Sequence, residues 1–320
     1  MLDNILFSLN VVLPSFIMIF IGWFARKKGV IEKEMMDKVG KLTFTYCLSS
    51  RIFLDIYGAD FSRMKDLSLT AYCFAATVIT FAAIWFLAWK LMKRKESAGA
   101  FTQACFRSSF TVLGLSMVRN MAGEEGVAQC ASLLTVIVIL YNILAVLALT
   151  KGGGTSGADL HFGAMLKQIG KKVVVNPLII AAVLGLPFCI LGVQLPSLIQ
   201  KPIQSLGDLA VPLSLLCIGA ALDTSKVKKC FGYASLAALT KTVFLGLTVI
   251  PVAALIGFRG LELSVVAILF TTANPSACYV MAMSMDNDSE LAATAIVLST
   301  LLSVITTTLA LYILKTLALI

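Results

Sequence analysis

The sequence predicts an all-α polytopic membrane protein of ten transmembrane helices, arranged as five plus five in an inverted repeat. Three observations carry that prediction. The first is composition: 59% of the 320 residues are hydrophobic and 13% are charged, which excludes both an ordinary soluble domain and a disordered chain. The second is a series of apolar runs of membrane length near 5–25, 39–57, 67–91, 98–119, 126–149, 173–192, 203–222, 230–257, 262–285 and 290–314. The third is a glycine-rich connection, beginning KGGGTSGADL at Lys151, which divides the ten runs evenly. Because five is odd, two similar halves (1–150 and 173–320, joined by a cytoplasmic linker 151–172) face opposite ways across the bilayer.

The first run, in MLDNILFSLN, carries an acid where a secretory signal would be basic, and so reads as a span of the mature protein. The second contains Lys41, Arg51 and Asp55, and the fourth contains Arg107; both still alternate correctly with their neighbours. Short internal echoes support the repeat: Val39-Gly40-Lys41-Leu42 matches Leu206-Gly207-Asp208-Leu209, and MAGEEGVA (121–128) matches MDNDSELA (285–292). Basic residues set the orientation. Odd-numbered connections hold 17 of the Lys and Arg against 6 on the other side, so the odd connections are cytoplasmic and both termini lie outside the cell membrane. The same clustering between apolar runs turns the net charge of +9 away from a nucleic-acid partner and toward membrane topology. The eight cysteines fall mostly within apolar runs without CxxC spacing, and so read as small hydrophobes rather than metal ligands.

Chemistry concentrates in the ninth span. At Asn274-Pro275-Ser276, about twelve residues in, the helix reaches the bilayer midplane. Pro275 has no N–H for the carbonyl of Thr271, so the helix kinks or opens there, while Asn274 and Ser276 bring polar groups to the same depth. Broken backbone survives in a membrane only against protein or a water-filled cavity. A kinked packing helix and a transporter's binding site both fit that pattern.

Three cations remain inside spans: Arg51, Arg107 and Lys241. Each costs about 2.5–3.5 kcal/mol at mid-bilayer unless it faces protein or water. Arg51 has Asp55 one turn on, which suits an internal salt bridge. Arg107 has no acid on its own helix and is followed by Ser108 and Ser109, with Thr111 and Gly114 at helical spacing on its face. Lys241 reaches the same depth in span eight. Asp208 and Asp223 are further acids at span ends, read either as solvated helix ends or, with Asp55, as coupling groups. An enzyme is disfavoured: the only histidine, His161, lies in the linker, and no HExxH or GxSxG constellation is present. An anion receptor and a channel are the remaining alternatives.

Several stretches resemble the auxin efflux carrier family, within the larger bile acid–sodium symporter-like group: FRSSFTVLGLSM (106–117), AGEEG (122–126), NPLIIAAVLGL (176–186), LGDLAVPLSLLCIGAAL (206–222), KTVFLGLTVIP (241–251) and NPSACYVMAMSMDND (274–288). The resemblance implies a ten-span inverted repeat whose interrupted spans four and nine cross at the substrate site. Spans one, two, six and seven would form a scaffold, also the candidate surface for a homodimer, and the others a moving transport unit. It further implies secondary transport of small organic anions, such as malate, malonate or auxin-like acids. In that scheme Arg107, Ser108, Ser109, Asn274, Pro275, Ser276 and Lys241 bind the substrate. Asp55, Asp208 and Asp223 are the coupling or gating candidates, sodium and protons the candidate coupling ions, and no organic cofactor or metal centre is expected. The chain departs from the family pattern at Ser108, usually Asn, and at Ser116 and Ser49, usually Pro. A break in span four therefore has to form without proline, with Gly114 as the expected source of flexibility.

Overall fold

The computed structural model describes residues 2–58, 67–152, 174–222 and 224–320. These residues are overwhelmingly helical, and no strand occurs among them. The helices are α1 (Leu2–Lys27), α2 (Lys33–Leu42), α3 (Ser49–Tyr57), α4 (Leu67–Leu91), α5 (Ala98–Phe106), α6 (Leu115–Gln129), α7 (Ala131–Gly152), α8 (Pro177–Leu191), α9 (Ser197–Ala221), α10 (Thr224–Leu239), α11 (Leu245–Ile256), α12 (Gly260–Thr271), α13 (Ala277–Ser284) and α14 (Ser289–Thr316). π-Helical segments join α2 to α3 (Thr43–Leu48) and α10 to α11 (Thr240–Phe244), and a third, Phe110–Gly114, leads into α6. Among the described residues, five stretches are long and apolar enough to cross a membrane: Leu67–Leu91, Leu133–Thr150, Ser197–Ala221, Val227–Ile256 and Ser289–Thr316. The expected linker 151–172 lies almost wholly outside the described residues, as do His161 and Asp223.

Local chemistry explains several boundaries. Asn176 caps α8 by accepting from the Leu178 N–H at 2.9 Å, with Pro177 at the first helical position, where a missing donor does no harm. Asp288 caps α14 in the same way through Leu291 N–H at 2.9 Å. Its other oxygen accepts from Ser97 Oγ at 2.6 Å and faces Arg94 at 3.5 Å, which ties the start of α14 to the start of α5.

Packing separates the helices into two sets. α1 lies along α9, α3 packs on α8 and α9, and α2 on α9. In the other set α5 packs on α4, α7 and α10; α14 packs on α10, α12 and α13; and α11 on α12. The α1–α9 crossing is close because it is built on glycine. A Cβ placed on Gly219 would stand 1.9 Å from the Ile19 carbonyl oxygen, and one on Gly22 2.2 Å from that of Leu216. Small residues at a crossing let two backbones approach where no hydrophobic force separates helix from lipid. Arg26 then donates from α1 to the Ala220 carbonyl at the end of α9.

The short helices occupy the middle. Every residue of α5 is buried, as is every residue of α12 from Leu263 to Thr271 and of α13 from Cys278 to Ala282. Longer helices surround them, so the chain ends they expose face protein rather than lipid, as unpaired backbone requires.

Candidate functional site

Two interruptions meet in this centre. α12 stops at Thr271, Thr272 turns extended (φ −68, ψ 157), and α13 restarts after Ser276. That is the break expected from Pro275. The other interruption, between α5 and the π segment at Phe110, forms without any proline. α5 stops at Phe106, Arg107 is extended (φ −75, ψ 139), and the π segment begins only after Ser109. The expected helical face Arg107–Thr111–Gly114 does not exist, because the helix is interrupted immediately after its first member. Gly114 instead leaves room for the Phe110 ring, whose Cδ2 lies 2.4 Å from where a Cβ would stand.

The two breaks stabilise one another. Ser109 N–H donates to the Ala273 carbonyl at 2.8 Å, so each interruption satisfies a backbone group of the other. Thr272 Oγ1 donates to Ile268 O at 2.8 Å and therefore accepts from Ser108 Oγ at 2.7 Å. Asn274 N–H donates to Ser299 Oγ of α14 at 3.2 Å. Asn274 is only 3% exposed, yet neither the oxygen nor the nitrogen of its carboxamide has a partner among the described residues. A buried amide with no protein partner costs about 1–3 kcal/mol, and this one lies in the wall of a cavity.

Arg107 is 6% exposed. Its Nη2 donates to Asn142 Oδ1 at 2.8 Å, and the Asn142 amide is itself held by donating to Val138 O at 2.8 Å. Nη1 abuts the Met281 sulfur at 2.6 Å, and with the Gln103 amide turned to suit its neighbours, the Gln103 oxygen accepts from Nη1 at 3.2 Å. All of these partners are neutral. Among the described residues no carboxylate pairs with Arg107.

A cavity of about 200 Å³ opens over these groups. It is lined by Arg107, Ser108, Ser109, Asn274, Pro275 and Ser276, so six of the seven expected binding residues share it. Residues at the starts of the π segment (Ser109, Thr111) and of α13 (Ser276, Ala277) line the same space. Arg51 and Asp55 also line it, paired Nε to Oδ1 at 3.0 Å as the i,i+4 spacing suggested. Asp208 faces Arg51 at 3.8 Å from outside the cavity wall and takes a bond from Gln204 at 3.2 Å. Asp223 lies outside the described residues.

Lys241 is placed differently. It is fully buried within the π segment, does not line the cavity, and donates to the Leu269 carbonyl at 3.0 Å, with the Phe270 ring centroid 6.0 Å away. Leu269 sits in the last turn of α12, where carbonyls lack intrahelical donors, so the amine closes the end of the broken helix. Lys241→Met removes this donor, and backbone amides at 270–274 then exchange with deuterium about tenfold faster. Unchanged exchange there rules out the capping role.

Reasoning from the sequence did not single out Asn142, Met281 or Thr300, which also line the cavity. A lone carboxamide within the apolar run of α7 was a usable signal for Asn142. Met281 and Thr300 carry no signal, since both residue types are ordinary in membrane helices.

Residues 7–311 match the family described as membrane transport protein. An uncharacterized transporter of Methanothermobacter thermautotrophicus is 25% identical over 93% of this chain and 95% of its own length. Another, from Methanocaldococcus jannaschii, is 24% identical over 93% and 96%. The uncharacterized transporter YfdV of Escherichia coli is 22% identical over 78% of each. A helical chain with membrane-length apolar helices, matched from residue 7 to residue 311, belongs to this membrane transport protein family, the auxin efflux carriers that its motifs resemble.

Proposed function

We propose that the protein is a secondary active transporter of small organic anions, chiefly carboxylates, and that it works by alternating access in the cell membrane. One observation carries this reading: among the described residues a buried arginine has only neutral partners and a buried amide has none, and both line a cavity where two helix interruptions meet. A carboxylate supplies what both groups lack. Arg107 gives it charge-assisted hydrogen bonds, bidentate where the guanidinium edge is free, while Asn274, Ser108, Ser109 and Ser276 complete its shell and the helix starts add positive potential.

In this reading α2 with α3, α5 with α6, α10 with α11, and α12 with α13 each form one span, which makes ten in all with both termini outside. The packing supports an inverted repeat, because contacts recur in matched pairs. Span one on seven is matched by six on two, three on five by eight on ten, and three on four by eight on nine. The two sets of helices then correspond to a scaffold (spans one, two, six and seven) and a transport unit (the rest). α13 packs against α2, the 43–48 segment and α9, whereas its counterpart α6 packs on α7 and α12 within its own unit. That asymmetry fits a state closed on the cytoplasmic side and open outward. Asp55, Asp208 and Asp223 are the candidate coupling groups, with protons or sodium as the driving ion.

Uptake of a labelled carboxylate into proteoliposomes under an imposed ion gradient tests the reading, and binding without accumulation overturns it. Pro275→Ala restores a donor where the ninth span is open. It slows uptake at least about tenfold while changing affinity less, because the open backbone is needed in the moving state. Kinetics equal to those of the parent mean that the proline is not a working part.

A further inference from the structure

The charge ledger of the cavity narrows the ligand. Two cations line it, Arg51 and Arg107, and they are in opposite situations. Arg51 is neutralised by Asp55 at 3.0 Å, and Asp208, outside the cavity wall, lies 3.8 Å from it. Arg107 has only Asn142, Met281 and Gln103, all uncharged. Among the described lining residues, Arg51 and Asp55 cancel and the positive charge of Arg107 is left uncompensated. Most of the remaining wall is apolar, including Ile19, Leu48, Ile52, Leu178, Leu215 and Ile296.

Resting on the reading of this cavity as an anion site, we propose that its ligand is a monocarboxylate with an uncharged, mostly apolar body no larger than about one six-membered ring, and that dicarboxylates are excluded by charge. The first carboxylate meets Arg107. A second has two destinations, and both are unfavourable. Against the apolar wall it is buried without a partner, which is costly for any ion. At the far cation it meets Arg51 with Asp55 and Asp208 in place, where a further negative charge is repelled. Size follows from volume: an apolar cavity of about 150 Å³ holds one benzene, and the space here, about 200 Å³, adds room for a carboxylate. Of the carboxylates that the family resemblance implies, malate and malonate fall on the excluded side.

The test compares acids that share a skeleton. The purified full-length protein is titrated with butyrate, succinate, phenylacetate and 1-naphthylacetate at one pH where all are fully ionised, and the ligand-induced rise in melting temperature is read. Butyrate and phenylacetate act at concentrations at least about tenfold below succinate, 1-naphthylacetate acts only weakly, and Arg107→Ala responds to none of them. Asp55→Asn leaves Arg51 with a single acid, so succinate gains on butyrate by roughly tenfold. Succinate binding as well as butyrate in the parent protein, or an unchanged ratio in Asp55→Asn, overturns the single-charge assignment and leaves anion transport standing. Naphthylacetate binding as tightly as phenylacetate overturns the size limit. If no carboxylate responds in the parent protein, the anion-site reading itself is overturned.

Discussion

Arg107→Ala abolishes carboxylate uptake and leaves the fold in place. Truncating one member of a buried charged pair usually costs about 2–5 kcal/mol of binding, which is roughly thirtyfold to several thousandfold in affinity. Stability changes little because two terms oppose each other. The variant no longer buries a cation, a burden of about 2.5–3.5 kcal/mol on the insertion scale. Against this, it strands the Asn142 oxygen that accepted from Nη2 at 2.8 Å, at about 1–3 kcal/mol, and leaves a void. Helical content by circular dichroism and the melting temperature therefore stay near those of the parent while uptake disappears. Arg107→Lys keeps the charge but loses the planar fork, and recovers only part of the activity. Full uptake by the alanine variant contradicts the placement of the anion.

Gly219→Val has the opposite signature: it removes the fold before function can be measured. The added Cβ meets the Ile19 carbonyl oxygen at 1.9 Å and the Trp23 backbone nitrogen at 2.9 Å. Neither can rotate away as a side-chain tip would, so α1 must leave α9. Overpacking typically costs about 1–3 kcal/mol, and a backbone clash at a helix crossing lies at or beyond the top of that range. The variant should be recovered in poor yield, as aggregate by size-exclusion chromatography. Gly232→Ala is the control, since nothing lies within 4 Å of its added Cβ and alanine favours the helix by roughly 0.5–1 kcal/mol. A Gly219→Val protein that melts within about 2 °C of the parent shows that the two backbones do not approach this closely.

How far the sequence reveals this architecture depends on where the governing physics is local. Helix positions follow from apolar run length, and the break between α12 and α13 follows from Pro275, whose missing donor acts within one turn. The break at 107–109 has no such cause. It is held by Ser109 N–H reaching Ala273 and by Ser108 reaching Thr272, partners far off in the sequence, so no window around Arg107 contains the reason. Lys241 shows the same division in another form. Counting residues places it well inside an apolar run, but whether its amine faces the cavity or the Leu269 carbonyl depends on the direction it takes around a helix that is π-wound at that point. The Arg51–Asp55 pair was readable because both partners sit one turn apart. The Asp208 contact with Arg51 was not, since it joins different halves of the chain.

The bond from Ser109 to Ala273 also bears on how the protein is made. Its two ends are 164 residues apart, as are those of the neighbouring Ser108–Thr272 bond. At about 5–20 residues per second of synthesis, roughly 8–33 s pass before the second end exists. Through that interval the nascent first half has an open peptide group and no acceptor for it. The first half of the chain is thus an incomplete folding unit that must be sheltered by water, lipid headgroups or the insertion machinery until residues 272–273 have been made.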